Sequence, residues 1–297
     1  MAFEVKIIKD SVSREGKNLT TMQLKYPRFI HAEFMTHREF SRNASSSRAI
    51  PVNKMIEMVR TDPAMPIHWG ANQPGMQADN QLTGEGLAGT VSAWGWAANY
   101  AADQAEYMSK LGAHKQVANR ILEPFQWISV VMSSTQWANF YGLRCHADAQ
   151  PEIKLLAEMM REAQYKSVPT PLSEGEWHLP YVCEDDWDKA NDYCRVGRIT
   201  RDMPSYSEIL EILKKVSAAR CARVSYLTHD GKPTSITEDL ALFDRLAGSQ
   251  PLHASPLEHQ ATPDSFGAIG AWKAKQLHGN FVGWIQHRKL LSGEYIR

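Results

Sequence analysis

The sequence predicts a mixed α/β (α+β) fold, an antiparallel or mixed sheet combined with a helical bundle, and three patterns carry that expectation. Polar and apolar residues alternate over 3–9 and 19–36, through Leu19, Thr21 and Gln23 to Phe29 and Ile30, with the two-residue period and β-branched content of strands. From 84 to 122 the period lengthens. Ala88, Ala93, Trp96, Ala97, Tyr100, Ala101 and Ala105 can share helical faces there, and Gly95 alone interrupts the middle of the stretch. The third pattern is a helix starting near Pro151, with Asp148 as its expected cap. Its residues Ile153, Leu156, Ala157 and Met160 recur at three- and four-residue spacing on one core-facing stripe.

Further helical patterns cover 206–219 and 236–247. Between 166 and 206 Pro, Trp, Asp and Gly accumulate, which predicts an irregular excursion over a surface or an active-site cover, inserted in a single domain of residues 1–297.

Composition narrows the function. With 297 residues and 43% hydrophobic content, the chain can build a substantial core, so extensive disorder and coiled coil are excluded. No apolar run approaches the roughly 18 to 20 residues of a membrane span, and MAFEVKIIKDSV lacks a signal-peptide core, so a cytoplasmic protein without membrane contact is expected. Cys145, Cys183, Cys194 and Cys221 form no C-x-x-C pair, and no metal site is expected. Thirty-three basic residues balance thirty-three acidic ones, leaving no global field to attract nucleic acid. An anionic ligand must be held by a local cluster.

One run has that character. Thr36 to Arg48 gathers three arginines, a histidine, an asparagine and four serines. Guanidinium forks match phosphate oxygens bidentately, and hydroxyls and turn amides fill the remaining acceptor positions. By residue type alone this is a phosphate-binding segment or a solvated polar loop.

The run resembles the signature of the flavin-dependent thymidylate synthases, Arg-His-Arg-x-x-Ser-x-Asn-x-x-Ser-Gly-Arg. His37, Arg38, Ser41, Asn43, Ser46 and Arg48 fall on matching positions, whereas Thr36, Ala44 and Ser47 depart from it. His253 to His259 (HASPLEH) is similar to the family's H-x-[ST]-x-x-E-H segment, and Ala222 to Tyr226 (ARVSY) to its A-R-V-S opening. Leu143 to Ile153 is similar to L-R-x-x-x-x-A-Q-x-E-I, and Arg120 in NRILEP to the arginine of A-R-x-x-L-P. In the family's usual order the A-R-V-S and Glu-His segments precede the signature. Here they follow it, which implies circularly permuted connectivity, tolerable where termini lie close together on a surface.

The resemblance implies reductive methylation of dUMP at C5 to dTMP, with FAD as cofactor and NADPH and methylenetetrahydrofolate as co-substrates. It makes Arg144 and Ser46 the catalytic candidates. Glu33, Ser46, Ser47, Arg48, Arg120 and Arg144 become the substrate-binding set, and His37, Arg38, Glu39, Asn139, His253 and Ser255 the cofactor-binding set. It also implies a homotetramer whose sites are shared between subunits. The role of a guanidinium at Arg144 must be electrostatic, stabilising negative charge on the pyrimidine.

The departures leave the substrate open. Thr36 removes a cation, Ala44 a carboxylate, and Glu33 stands where the family has glutamine, so dCMP or a hydroxymethyl product are alternatives. A non-catalytic nucleotide-binding oligomer is the rival of a different class. Trp177, His178, His287 and Arg288, in segments without a family counterpart, could line a folate or NADPH entrance or be packed surface residues.

Overall fold

The computed structural model describes residues 3–196, 203–226, 234–249, 252–268 and 270–294. Strands β1 (Glu4–Ser13) and β2 (Asn18–Pro27) form an antiparallel hairpin whose turn passes through Gly16 at φ 70°. β2 ends at Pro27, and residues 28–36, expected to continue the strand, turn instead into a 3-10 segment (Arg28–Ile30) and a short helix α1 (His31–Phe34). The reason is the Tyr26-Pro27 step. Proline has no N–H to extend the ladder and its fixed φ opens a helical turn readily. The signature thus follows a helix and contributes its own short strand, β3 (Ser41–Ala44).

Next come α2 (Val52–Thr61) and α3 (Gly84–Lys110). The continuous helix expected to 122 breaks at Gly112, φ 86°, a conformation glycine adopts without strain. After the break α4 (Lys115–Ala118) and a 3-10 segment (Asn119–Phe125) lead into β4 (Trp127–Ser134). α5 (Ala138–Arg144) and α6 (Pro151–Lys166) follow. The cap of α6 is Gln150, whose side chain accepts from the Ile153 amide at 3.0 Å; the Asp148 amide instead donates to His146, so Asp148 lies outside the helix.

The excursion of 166–206 is less irregular than expected. It contains β5 (Thr170–Leu172) and α7 (Glu184–Arg195), while 197–202 lie outside the described residues. α8 (Tyr206–Arg223) and α9 (Ile236–Ala247) both start on serine capping boxes, Ser205 with Glu208 and Ser235 with Glu238. β6 (Ala261–Pro263) and β7 (Trp284–Gln286) form a two-stranded ribbon.

The main sheet runs β3-β4-β2-β1-β5, antiparallel except for the β1/β5 pair. One face is apolar: Met22, Leu24 and Tyr26 of β2 oppose Met132, Val130 and Ile128 of β4, under Ile153, Leu156, Ala157 and Met160 of α6. That confirms the stripe read from the sequence. The other face is rich in hydroxyls. Thr21 meets Ser133 at 2.5 Å and His178 Nε2 at 2.8 Å; Ser133 meets His259 Nδ1 at 2.9 Å, and His178 Nδ1 meets Ser11 at 2.9 Å. All five side chains are fully buried beneath the C-terminal half. His178 and His287 therefore line no entrance, contrary to one sequence-based alternative, and neither is a surface residue.

Ion pairs tie the covering helices together. Arg220 of α8 reaches Asp186 of α7 at 2.6 Å and Asp239 of α9 at 2.9 Å. α2 and α3 pack together in a separate cluster, in which Met55, Ile56 and Val59 of α2 meet Ile50 and Leu122 and α3 buries Ala98, Ala102 and Ala105. Trp96, Tyr100 and Tyr107 of α3 stay exposed, as does Leu111 beyond its end.

Burial holds His31 down at about 4 and His259 and His287 at about 3, and His178 well below the ordinary value. These rings are neutral in the fold and take up protons on unfolding. Stability is then complete above pH about 6.5 and falls as pH drops toward 4, each fully buried ring contributing up to about 1.4 kcal/mol per pH unit. The melting midpoint at pH 5 should lie at least about 5 °C below that at pH 7; equal midpoints would contradict the burial of these histidines.

Candidate functional site

The loop joining β3 to α2 forms a polar cradle. Ser45 pairs with Ser129 through its amide (2.8 Å) and its hydroxyl (3.1 Å), and the Ser46 amide donates to the Ser225 carbonyl at 3.0 Å. Buried Asn119 donates to the carbonyls of Ser47 (2.7 Å) and Ile50 (3.0 Å), and Lys115 Nζ to that of Ala49 (2.9 Å). Beside the loop held in this way lies a cavity of about 580 Å³ lined by Arg28, Ser46, Ser47, Arg48, Arg120 and His253, among others.

Glu123 organises the cations of this cavity. It accepts from Arg28 at 3.1 Å, Arg120 at 3.0 Å and the Ser47 hydroxyl at 2.9 Å. Three guanidinium groups against one carboxylate leave a local excess of two positive charges, the charge of a phosphate dianion. Arg48 is exposed, with no carboxylate against its guanidinium among the described residues. Arg42, the second arginine of the signature run, has a different task. Its Nη1 donates to the carbonyls of Phe34 (3.3 Å), Met35 (3.1 Å) and His37 (2.9 Å), closing the C-terminal end of α1.

Asn43 joins the signature to the late segments. Its Nδ2 donates to the Cys221 carbonyl at 2.8 Å, while its Oδ1 accepts from Ser225 at 3.2 Å and Ser255 at 3.1 Å. Residues more than 200 positions apart thereby share one amide. Ser255 is turned into this joint, and His253, two residues earlier, is exposed on the cavity rim. Glu258, at the end of the same 3-10 segment, forms an ion pair with Arg288; burial raises its pKa against the opposing pull of Arg288.

Arg144 and Glu33 line a second, larger cavity of about 1340 Å³, together with Phe29, His68, Trp94, Gln150 and Glu152. Arg144 Nε donates to His37 Nε2 at 2.9 Å, and its Nη2 approaches Thr36 Oγ1 at 3.5 Å. Since Nε2 accepts, the His37 proton sits on Nδ1 and the ring is neutral. Burial first, then the charges of Arg144 and Arg42, lower its pKa. Thr36, the departure at the family's first arginine, donates to the Glu33 carbonyl at 2.7 Å and so holds Arg144 beside the turn that carries Glu33.

Thus Ser46, Ser47, Arg48, Arg120 and His253 line one cavity, and Glu33 and Arg144 the other, with His37 bonded to Arg144. Arg38 and Asn139 are exposed and Glu39 is half-buried, none of them lining either cavity. Arg28, Gln116 and Ser225 were not singled out by the sequence reading. Ser225 lay within the quoted ARVSY motif and could have been; Arg28 was hidden in a supposed strand.

The model of the family described as thymidylate synthase complementing protein matches residues 18–170, just over half of the chain. The chain belongs to that family. Members of that family are generally flavin-dependent enzymes that modify pyrimidine nucleotides. The matched span contains the signature, Arg120 and Arg144, whereas ARVSY and HASPLEH lie beyond it. Two solved structures of a UMP/dUMP methylase PolB from Streptomyces cacaoi, bound with 5-Br dUMP and 5-Br UMP, are similar to this chain. Identities are 18% and 19%; the alignments cover 56% of this chain and 90% and 89% of those chains, with a TM-score of 0.46 in both. No curated protein matches the chain.

Replacing Asn43 by Ala removes one donor and one acceptor from a buried joint and leaves the Cys221 carbonyl unsatisfied. Denaturant unfolding should show a loss of about 1–3 kcal/mol. Asn43→Asp should not restore it, because a carboxylate cannot donate to that carbonyl.

Proposed function

We propose that this protein is a flavin-dependent thymidylate synthase, converting dUMP to dTMP by reductive methylation at C5 with methylenetetrahydrofolate and NADPH. The observation carrying this reading is the cradle, in which Ser46 and Arg48 of the family signature, with Ser47, Arg120 and Arg28, surround a space of nucleotide size with a surplus of positive charge. Family membership and the match across that segment support it.

The donor set fits phosphorylated ligands. Arg48, Arg28 and Arg120 neutralise phosphate charge, and the Ser46 hydroxyl stands among them on the cavity wall. Bound FAD would supply the redox chemistry, accepting reducing equivalents from NADPH and supplying the hydride. His37, Arg38, Glu39, Asn139, His253 and Ser255 are the residues assigned to hold it. Arg144 stabilises negative charge on the pyrimidine. Its Nε is bonded to His37 and its Nη2 approaches Thr36, which leaves Nη1 as the group for the ligand.

Arg144 and Ser46 line different cavities of one chain, so the reading requires a neighbouring subunit to bring the two surfaces opposite each other. The exposed Trp96, Tyr100 and Tyr107 of α3 offer an apolar surface for that association, and a homotetramer is the assembly proposed. A second reading, dCMP as substrate, is favoured by Glu33. A carboxylate in the cavity of Arg144 matches an amino group at C4 better than a carbonyl.

Purified protein supplied with FAD should be yellow and lose its 450 nm band with NADPH, faster when dUMP is present; a flavin band that persists under both conditions counts against the reaction. Arg144→Lys should lower kcat about 100-fold with flavin retained, whereas Arg48→Ala should mainly raise the KM for the nucleotide. Parallel turnover with dUMP and dCMP, in the native chain and in Glu33→Gln, decides the base.

A further inference from the structure

The stretch from His278 to Leu290 contains no motif assigned to the site, yet it touches both halves of it. It turns at Gly279, φ 62°, where a Cβ would come within 2.4 Å of Gln286 Oε1. From that turn Asn280 reaches in two directions. Its Nδ2 donates to the Glu39 carbonyl at 3.1 Å, and its Oδ1 accepts from Ser41 Oγ at 3.0 Å and from Gln286 Nε2 at 3.1 Å. Gln286, itself buried, donates in addition to Ser41 Oγ at 3.1 Å and to the Glu258 carbonyl at 2.9 Å. The ion pair of Arg288 with the Glu258 carboxylate completes the clamp.

Glu39 and Ser41 belong to the signature segment, and Glu258 ends the 3-10 segment that begins at Ser255. Asn43 joins these segments on the cavity side. The chain from 280 to 288 joins them again from the other side, so their relative position is fixed at two separated points.

We propose that Asn280 is a positioning residue for the cofactor site, locking the backbone at Glu39 to the turn at Ser255–Glu258 so that His37 to Glu39 and His253 to Ser255 present one rigid surface. The proposal rests on the reading above that these two stretches hold one flavin. A primary amide suits the position because it donates to a carbonyl on one side and accepts two donors on the other. Aspartate would keep the acceptor half and set a carboxylate against the Glu39 carbonyl, whereas alanine removes both halves.

The test compares full-length native protein with Asn280→Ala and Asn280→Asp in three measurements: FAD affinity by flavin fluorescence, melting temperature, and amide hydrogen exchange over 37–41 and 255–258. Expected are FAD binding about tenfold weaker in both variants, melting within a few degrees of native, and faster exchange confined to those two segments. Should Asn280→Ala not fold, Asn280→Ser, which retains a short hydroxyl, takes its place. Native FAD affinity in Asn280→Ala overturns the proposal. So does an affinity loss accompanied by faster exchange throughout the molecule, which marks a merely structural role. If the native protein binds no FAD, the functional reading itself fails and this cofactor role with it, while the local exchange still reports whether the clamp holds the two segments.

Discussion

The side-chain amide of Asn43 is the contact on which the site depends. It sits on a strand of four residues, too short to be stable alone, and it bonds to Cys221 and Ser225 at the end of one helix and to Ser255 on a later turn. An amide has the mixed donor and acceptor capacity to satisfy all three at once. Without it the signature strand would lose its direct tie to the turn that carries His253 on the cavity rim.

Around that joint the structure separates rigid parts from presented ones. Asn119, Lys115 and Arg42 spend their donors on backbone carbonyls, so the loop and the end of α1 are shaped before any ligand arrives. Arg38, Arg48 and His253 are left exposed. Preorganised backbone with a few free polar heads is what electrostatic recognition of anions needs, because little ordering remains to be done on binding. Arg42 and Arg48 are six residues apart in one basic run, yet one is structural and the other faces the cavity. Residue type could not separate them.

Much of the fold could be read from periodicity where one face meets hydrocarbon. The α6 stripe and the helices near 206 and 236 follow from apolar spacing and capping serines. The reading failed where a polar pattern had another cause. Residues 28–36 alternate like a strand, but Pro27 ends the ladder and the alternation is that of a tight helical turn. His178 resembled a loop histidine because its partners Ser11 and Thr21 are more than 150 residues away in sequence. The cradle residues were legible because the signature packs them into one run. Arg28 and Glu123 were not, since their roles arise only when the end of β2 meets the 3-10 segment at 119–125.

The hydroxyl-lined face of the sheet also bears on how the chain is made. Strands β1 to β4 leave the ribosome before the helices that cover that face, and segments whose partners lie far along the chain wait longest for them. An uncovered apolar face would invite association during that interval. A face on which Ser11, Thr21, Gln23 and Ser133 surround Val131 can be wetted until His178 and His259 arrive, so a chain order that brings the covering half last exposes the nascent polypeptide to little risk of sticking.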